Sequence, residues 1–304
     1  MQDIIIIENL YKSYGSVQAV NNLSFKVKKG QLFAFLGING AGKSTTISVM
    51  CKALDKDSGK VIINGLDIDT ADDNFKRSLG VVFQQSTLDK SLTVYDNLQS
   101  RASLYGIYGK DFEDKINSLA QTLEFTDILN RAVGKLSGGQ RRKIDVARAL
   151  IHDPEILILD EPTTGLDPMT RTTLWKVVND LRKQKGMTVF LTTHYMEEAA
   201  DADYVVIIDG GKISAQGTPH QLKKDYSGDF ITIYDVDEDA IKVLDTPYEK
   251  VGSAYRLEVK DTKTATQLII KNPEIFNDYE IAKGKMDDVF LAVTGKKLEG
   301  GESK

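Results

Sequence analysis

Two periodicities alternate along the first 224 residues. Short runs rich in β-branched residues, such as IIIIENLY at 4–11, SFKVK at 24–28, LFAFLG at 32–37, KVIING at 60–65 and LGVVFQ at 79–84, are separated by stretches with helical spacing. EILILD at 155–160, TVFLTT at 188–193, YVVIID at 204–209 and KISAQG at 212–217 continue the series. This alternation predicts an α/β sheet. EILILD and TVFLTT are nearly all apolar, as central parallel strands covered on both faces are.

The rhythm changes between 92 and 133. TVYDNLQSRASLYG and FEDKINSLAQTLE keep helical spacing with no strand between them, which predicts a helical insertion. A helix over 138–151 follows, and Pro154 separates it from the strand at 155–160. After TPHQLKKDYSGD the pattern restarts: strand 229–235, helix 237–245, strands within 249–259, helix 262–271, strand 278–284 and helix 286–294. That order resembles a small βαββαβ sandwich. Charge shifts at the same place. Residues 1–224 carry 28 basic and 27 acidic side chains, net +1, whereas residues 225–304 carry 11 and 17, net −6. The expected division is an α/β domain over 1–225, with its helical subdomain at about 92–153, and an α+β accessory domain over 226–304. The acidic excess of the second part reads as a solvated face.

Composition narrows the function classes. No apolar run approaches the roughly 18 residues of a membrane span, and the N-terminus lacks the basic-then-apolar pattern of a secretion signal. A net charge of −5 argues against a nucleic-acid surface. The lone Cys51 rules out an intrachain disulfide, fits a reducing cytoplasm, and reads as a small buried hydrophobe on a helix.

Chemistry enters at GINGAGKST, residues 37–45, which lies between a strand and a helix. The G-x-x-x-x-G-K-S spacing from Gly37 to Ser44 lets backbone N–H groups wrap a phosphate. Lys43 then reaches the β/γ oxygens and Ser44 offers a hydroxyl to Mg2+. Such a loop needs a carboxylate from a neighbouring strand, and ILILDE at 156–161 supplies it. Asp160 emerges at the carboxyl end of the strand, where open α/β sheets bind ligands. Glu161, one residue further, is placed to face a water as general base. Gln84 ends LGVVFQ, where its amide meets Mg2+ or water, with Gln85 as the rival for that role. His194 ends TVFLTT and brings an imidazole to the same sheet edge; a strand-end His is otherwise an ordinary satisfied polar residue. Tyr14 precedes the loop and is placed either to stack on a base or to pack. LSGGQ at 136–140 opens the next helix and forms a second anion site in the same chain.

The ordered set resembles the nucleotide-binding subunit of an ATP-binding-cassette (ABC) transporter. The resemblance makes Gly37, Asn39, Gly40, Ala41, Gly42, Lys43, Ser44 and Thr45 the Walker A loop. It makes Gln84 the Q-loop, Ser137, Gly138, Gly139 and Gln140 the signature, Asp160 and Glu161 Walker B, and His194 the switch histidine. TGLD at 164–167 matches the D-loop, with Thr164-Gly165 where many members have Ser-Ala and Asp167 retained. Tyr14 stands where the adenine-stacking aromatic belongs. KGKMDDVFLAVTG at 283–295 resembles the tail of the multidrug-export, daunorubicin-type branch.

The family implies a P-loop NTPase fold, a mixed sheet core with a helical subdomain. It also implies ATP and Mg2+ as ligands, and a separate integral-membrane subunit received by residues 92–135. A second cassette is expected as homodimer or paralogue partner, docked head to tail, so that each ATP lies between one Walker A loop and the neighbour's signature. That arrangement gives the second anion site its purpose. The expected location is the cytoplasmic face of the cell membrane, held by the membrane partner. The alternative is an ABC ATPase switch on a ribosome or nucleic-acid complex. Such relatives carry two cassettes or long coiled-coil arms, and this chain has one cassette and no sustained heptad run. A G-protein is disfavoured because no N-K-x-D motif occurs.

Overall fold

The strands expected to lie in one sheet divide between two. In the computed structural model, which describes residues 2–71 and 73–296, β1 (Asp3–Tyr14), β2 (Val17–Lys28), β4 (Ser58–Ile63) and β5 (Leu66–Asp67) form a four-stranded antiparallel sheet in the order β2-β1-β4-β5. The first two strands are longer than the sequence pattern indicates. Gly15, at φ 57°, makes the tight turn that joins them, and register shifts interrupt the in/out alternation along β1.

A six-stranded sheet holds β3 (Leu32–Leu36), β6 (Leu79–Val82), β7 (Ile156–Asp160), β8 (Thr188–Thr193), β9 (Tyr204–Asp209) and β10 (Lys212–Gly217), in the order β10-β9-β3-β8-β7-β6. The pairs β9–β3, β3–β8, β8–β7 and β7–β6 are parallel. All residues of β3, β7 and β8 are buried, as expected of apolar strands covered on both faces. A phenylalanine cluster joins the two sheets: Phe25 of β2 lies 5.2 Å from Phe33 of β3 and 6.0 Å from Phe190 of β8, ring centre to ring centre. Each such ring contributes roughly 1.5–3 kcal/mol by leaving water.

Helix α1 (Lys43–Met50) follows β3. The insertion contains α2 (Val94–Ser103) and α3 (Gly109–Thr122), with short 3-10 turns at Thr126–Ile128 and Val133–Lys135. Thr93 starts α2 through a reciprocal cap with Asp96. Next come α4 (Gly138–Leu150), α5 (Pro168–Lys185) after β7, and the short α6 (Met196–Ala200) after β8. No helix among the described residues is long and apolar enough to cross a membrane.

The chain divides into two compact units, Met1–Gln216 and Gly217–Lys304. The division falls before residue 225 because α7 (Pro219–Tyr226) packs on α10 (Met286–Thr294) of the second unit. That unit also contains β11 (Asp229–Ile233), α8 (Glu238–Lys242), β12 (Tyr248–Val251), β13 (Ala254–Val259), α9 (Thr262–Lys271) and β14 (Tyr279–Lys283). Its sheet has the order β12-β13-β11-β14 with every pair antiparallel, the topology of a βαββαβ sandwich. Ile231, Ile233, Tyr255 and Leu257 pack with Ile241 of α8 and Ala265 of α9 in a core of their own.

Candidate functional site

The loop between β3 and α1 wraps back on itself because Gly40 and Gly42 have positive φ, 82° and 106°. A Cβ on Gly42 would meet the Ala19 carbonyl oxygen at 2.4 Å, so conformation and space both demand glycine there. Lys43 is the first residue of α1 and is 5% exposed. Its Nζ donates to the carbonyl oxygens of Gly37 at 2.7 Å and Ile38 at 3.2 Å, and lies 3.1 Å from Glu161 Oε1.

Strand β7 ends at Asp160, 4% exposed, and Glu161, 7% exposed, follows with φ 46°. Asp160 Oδ1 accepts from Thr192 Oγ1 at 2.5 Å and from Ser44 Oγ at 3.4 Å. Glu161 is the convergence point. Its Oε2 accepts from Gln84 Nε2 at 3.3 Å and Thr164 Oγ1 at 3.3 Å. His194 Nδ1 also lies 3.3 Å from Oε2, but outside hydrogen-bond alignment. Burial pushes the Glu161 carboxyl up, but the Lys43 ammonium and then His194 outweigh it, and the group titrates below its ordinary range.

Structure thus brings Lys43, Ser44, Gln84, Asp160, Glu161 and His194 together at the carboxyl edge of the six-stranded sheet. Gln84, rather than Gln85, makes the contact to Glu161. Asn39 and Gly40 are exposed at the tip of the loop, whereas Ala41 is buried and Thr45 half-buried. Tyr14, 51% exposed, ends β1 with the Lys12 ammonium 5.8 Å from its ring centre. Cys51, at the end of α1, packs against the core, and desolvation pushes its thiol up to about 12.

The signature forms a separate surface. Ser137 caps α4 by accepting from Gln140 N at 3.1 Å, and its own N–H donates to Gln140 Oε1 at 3.1 Å. Gly138 is exposed and Gly139 half-buried, and their N–H groups, in the first turn, have no acceptor within the helix. Among the described residues no hydrogen bond or ion pair joins Ser137–Gln140 to the loop at 37–45. The signature neighbours the D-loop instead. A Cβ on Gly139 would meet Thr170 at 2.8 Å, and Asp167 caps α5 by accepting from Thr170 N at 3.0 Å and Thr170 Oγ1 at 2.6 Å.

Three residues that sequence reasoning did not single out complete the site. Thr192 carries Asp160 and also accepts from Glu161 N at 3.1 Å. Glu198, buried on α6, accepts from Thr163, Thr193 and Trp175. Arg142, buried on α4, donates to four backbone carbonyls. Arg142 stands between Arg141 and Lys143, and Glu198 follows Glu197, so the sequence sets neither apart from the charged residues beside it. For Thr192 there was no signal either, because a threonine in a central strand looks like any β-branched residue.

A nucleotide-wrapping loop after one parallel strand, with an acidic pair at the end of another, defines a P-loop nucleotide-binding domain. The family model described as "ABC transporter" matches residues 20–164. The Nod factor export ATP-binding protein I of Ralstonia nicotianae is 34% identical over 305 residues, covering 97% of this chain and 95% of that protein. The probable multidrug ABC transporter ATP-binding protein YbhF of Escherichia coli is 36% identical over 228 residues, 75% of this chain but only 39% of that protein. A dimeric ATP-binding cassette solved in a post-hydrolysis state with ADP and phosphate superposes with a TM-score of 0.65 at 26% identity, covering 71% of this chain and 98% of that one. The chain belongs to the ABC transporter family, among its ATP-binding subunits.

Proposed function

We propose that this chain binds and hydrolyses ATP to drive a membrane exporter, working as a head-to-tail pair of cassettes. The observation that carries the reading is the convergence of Lys43, Gln84, Thr164 and His194 on a buried Glu161 carboxylate beside Asp160. Glu161 titrates below its ordinary range and is therefore ionised at neutral pH, the form a base needs to take a proton from water. Lys43 holds β/γ-phosphate charge, Gln84 and His194 orient the attacking water and the γ-phosphate, and Tyr14 offers a face to adenine. Ser44 and Asp160 supply the hard oxygen donors that suit Mg2+, an ion held by one or two carboxylates with the rest from water and phosphate. When bound, Mg2+ neutralises charge on the phosphate oxygens.

Ser137 and Gly138 of the signature are exposed and, among the described residues, no bond joins them to their own chain's loop, which supports use on a neighbour's ATP. A two-fold pair makes two such composite sites from one self-complementary surface. ATP that binds only the closed pair favours closure by about 2.7 kcal/mol per site at a hundredfold excess over Kd. The residues 92–135, with exposed Leu104 and Tyr108, are the surface offered to the membrane subunit. Export, and a place on the cytoplasmic face of the membrane, are supported by the relatives named for multidrug and Nod factor export. The same relatives disfavour a ribosome- or nucleic-acid-bound switch. The second unit, taken here as an accessory domain, regulates the pair or contacts the membrane subunit.

Glu161→Gln tests the reading. It should keep ATP binding while hydrolysis falls by the roughly 10²–10⁴ expected for a lost general base, and it should elute from size exclusion as an ATP-dependent dimer. Normal turnover in that variant would remove Glu161 from the role.

A further inference from the structure

Glu161 has a backbone conformation that residues with side chains rarely adopt, φ 46°, and that conformation sets where its carboxylate points. Something must hold it. Thr192 fixes the N–H side, where Glu161 N donates to Thr192 O at 3.1 Å. On the carbonyl side Thr164 N donates to Glu161 O at 3.4 Å, and one side chain binds that carbonyl and its two neighbours. Arg142 Nη2 donates to the carbonyls of Asp160 and Glu161, both at 3.1 Å, and Nε donates to that of Pro162 at 2.7 Å. Nη1 takes a fourth carbonyl, that of Phe83, at 2.6 Å, next to Gln84. One planar fork therefore spans three consecutive peptide groups around the strained residue and a fourth beside the glutamine that contacts it.

Arg142 belongs to α4, the helix that opens with the signature, and it is 7% exposed. A buried guanidinium whose hydrogen bonds all go to carbonyls does not serve as a surface ion pair. On the next turn Asp145 Oδ1 accepts from Ser86 Oγ at 2.9 Å, so α4 holds the chain on both sides of Gln84. We propose that Arg142 is a positioning residue for hydrolysis, locking the backbone turn at Glu161 so that its carboxylate faces the nucleotide loop. The proposal rests on the reading of Glu161 as the base. It adds a connection: the helix whose first turn serves the neighbour's ATP also fixes the base that acts on its own.

Lysine at 142 keeps the charge, but three protons on a point-like ammonium cannot reach four carbonyls spread along two segments. The test uses the full chain with Arg142→Lys, Arg142→Gln, Glu161→Gln and the Arg142→Lys/Glu161→Gln double variant. It measures Mg-ATP Kd, steady-state kcat and single-turnover rate. For either Arg142 variant the expected result is a kcat lowered about tenfold, equivalent to about 1.4 kcal/mol of transition-state stabilisation, with Kd held within about threefold. In the Glu161→Gln background the same lysine change should alter the residual rate by less than about twofold, because the group it positions is already disabled. A residue with a merely structural role would lower both backgrounds alike. Equal losses in the two backgrounds, a kcat within about twofold of the parent, or a Kd that worsens in step with kcat would each overturn the proposal. Normal turnover by the single Glu161→Gln variant would remove the base reading first, and this proposal with it; that failure is visible without any change at Arg142.

Discussion

Removing the Glu198 carboxylate should loosen the whole carboxyl edge of the six-stranded sheet. Glu198 is 6% exposed, and its oxygens take three donors, from β8, from α5 and from the loop after β7. Oε1 accepts from Thr163 Oγ1 at 2.5 Å and from Trp175 Nε1 at 3.2 Å, while Oε2 accepts from Thr193 Oγ1 at 2.6 Å. Thr163 lies two residues beyond Glu161, Thr193 immediately precedes His194, and Trp175 lies on α5 behind the D-loop. Glu198→Ala deletes the acceptor for all three. The two hydroxyls can rotate toward other partners, but the indole N–H is a donor only and is left stranded.

A hydrogen bond to a charged group contributes about 1.5–3 kcal/mol, and a stranded buried donor costs about 1–3 kcal/mol. Because the three bonds share one acceptor, they do not add, and a total loss of about 3–5 kcal/mol is expected. For a unit of this size each kcal/mol moves Tm by about 2–4 °C, so the melt should fall by about 6–20 °C. Glu198→Gln keeps the shape and an acceptor oxygen and should lose less than half as much. The assay is built into the protein. Trp175 is the only tryptophan, so its fluorescence reports unfolding of the first unit without signal from the second. A Glu198→Ala melt within about 2 °C of the parent would refute the reasoning, since it would mean the three donors find equivalent partners elsewhere.

Two further predictions concern charge and pairing. In the nucleotide-free protein Glu161 titrates below its ordinary 4.5, so its ionised form contributes stability that is fully present above that pH and is lost as pH falls through the lower folded value. The stability gap between the parent and Glu161→Gln, read from denaturant melts, should therefore be constant at neutral pH and shrink below pH 4.5; a gap that widens on acidification contradicts the Lys43 pairing. Lys43→Ala and Gly138→Asp, each expected to be nearly inactive alone, should restore ATPase or trapped nucleotide when mixed. Random exchange makes about half the dimers mixed, each with one intact composite site, and demonstrated exchange without recovery would assign the signature to its own chain's nucleotide.

The design of that last pair depends on a distinction the sequence does not contain. LSGGQ presents two glycines that look equivalent, and the amino acids alone give no reason to choose between them. In the folded chain they differ. A Cβ on Gly139 would strike Thr170, so a substitution there disturbs the D-loop cap of its own subunit, whereas a Cβ on Gly138 meets nothing within 4 Å. Only at Gly138 does a loss of activity report on a surface outside the chain.

The same contrast marks what was legible at the start. Residues whose chemistry depends on neighbours in sequence were readable: the loop at 37–45, the Asp160–Glu161 pair and the helix opening at LSGGQ each carry their meaning in local spacing. Residues whose role depends on segments far apart in the chain were not. Thr192, Arg142 and Glu198 act through carbonyls, amides and hydroxyls contributed by other elements, and a backbone carbonyl has no sequence signature. The split of the strands between two sheets was hidden for a related reason, since alternation shows that a strand has a buried face but not which sheet covers it. Local spacing therefore identifies the groups that converge at the sheet edge. The long-range bonds decide whether those groups are held where they can act, and Arg142, which joins the signature helix to the turn at Glu161, is where the two meet.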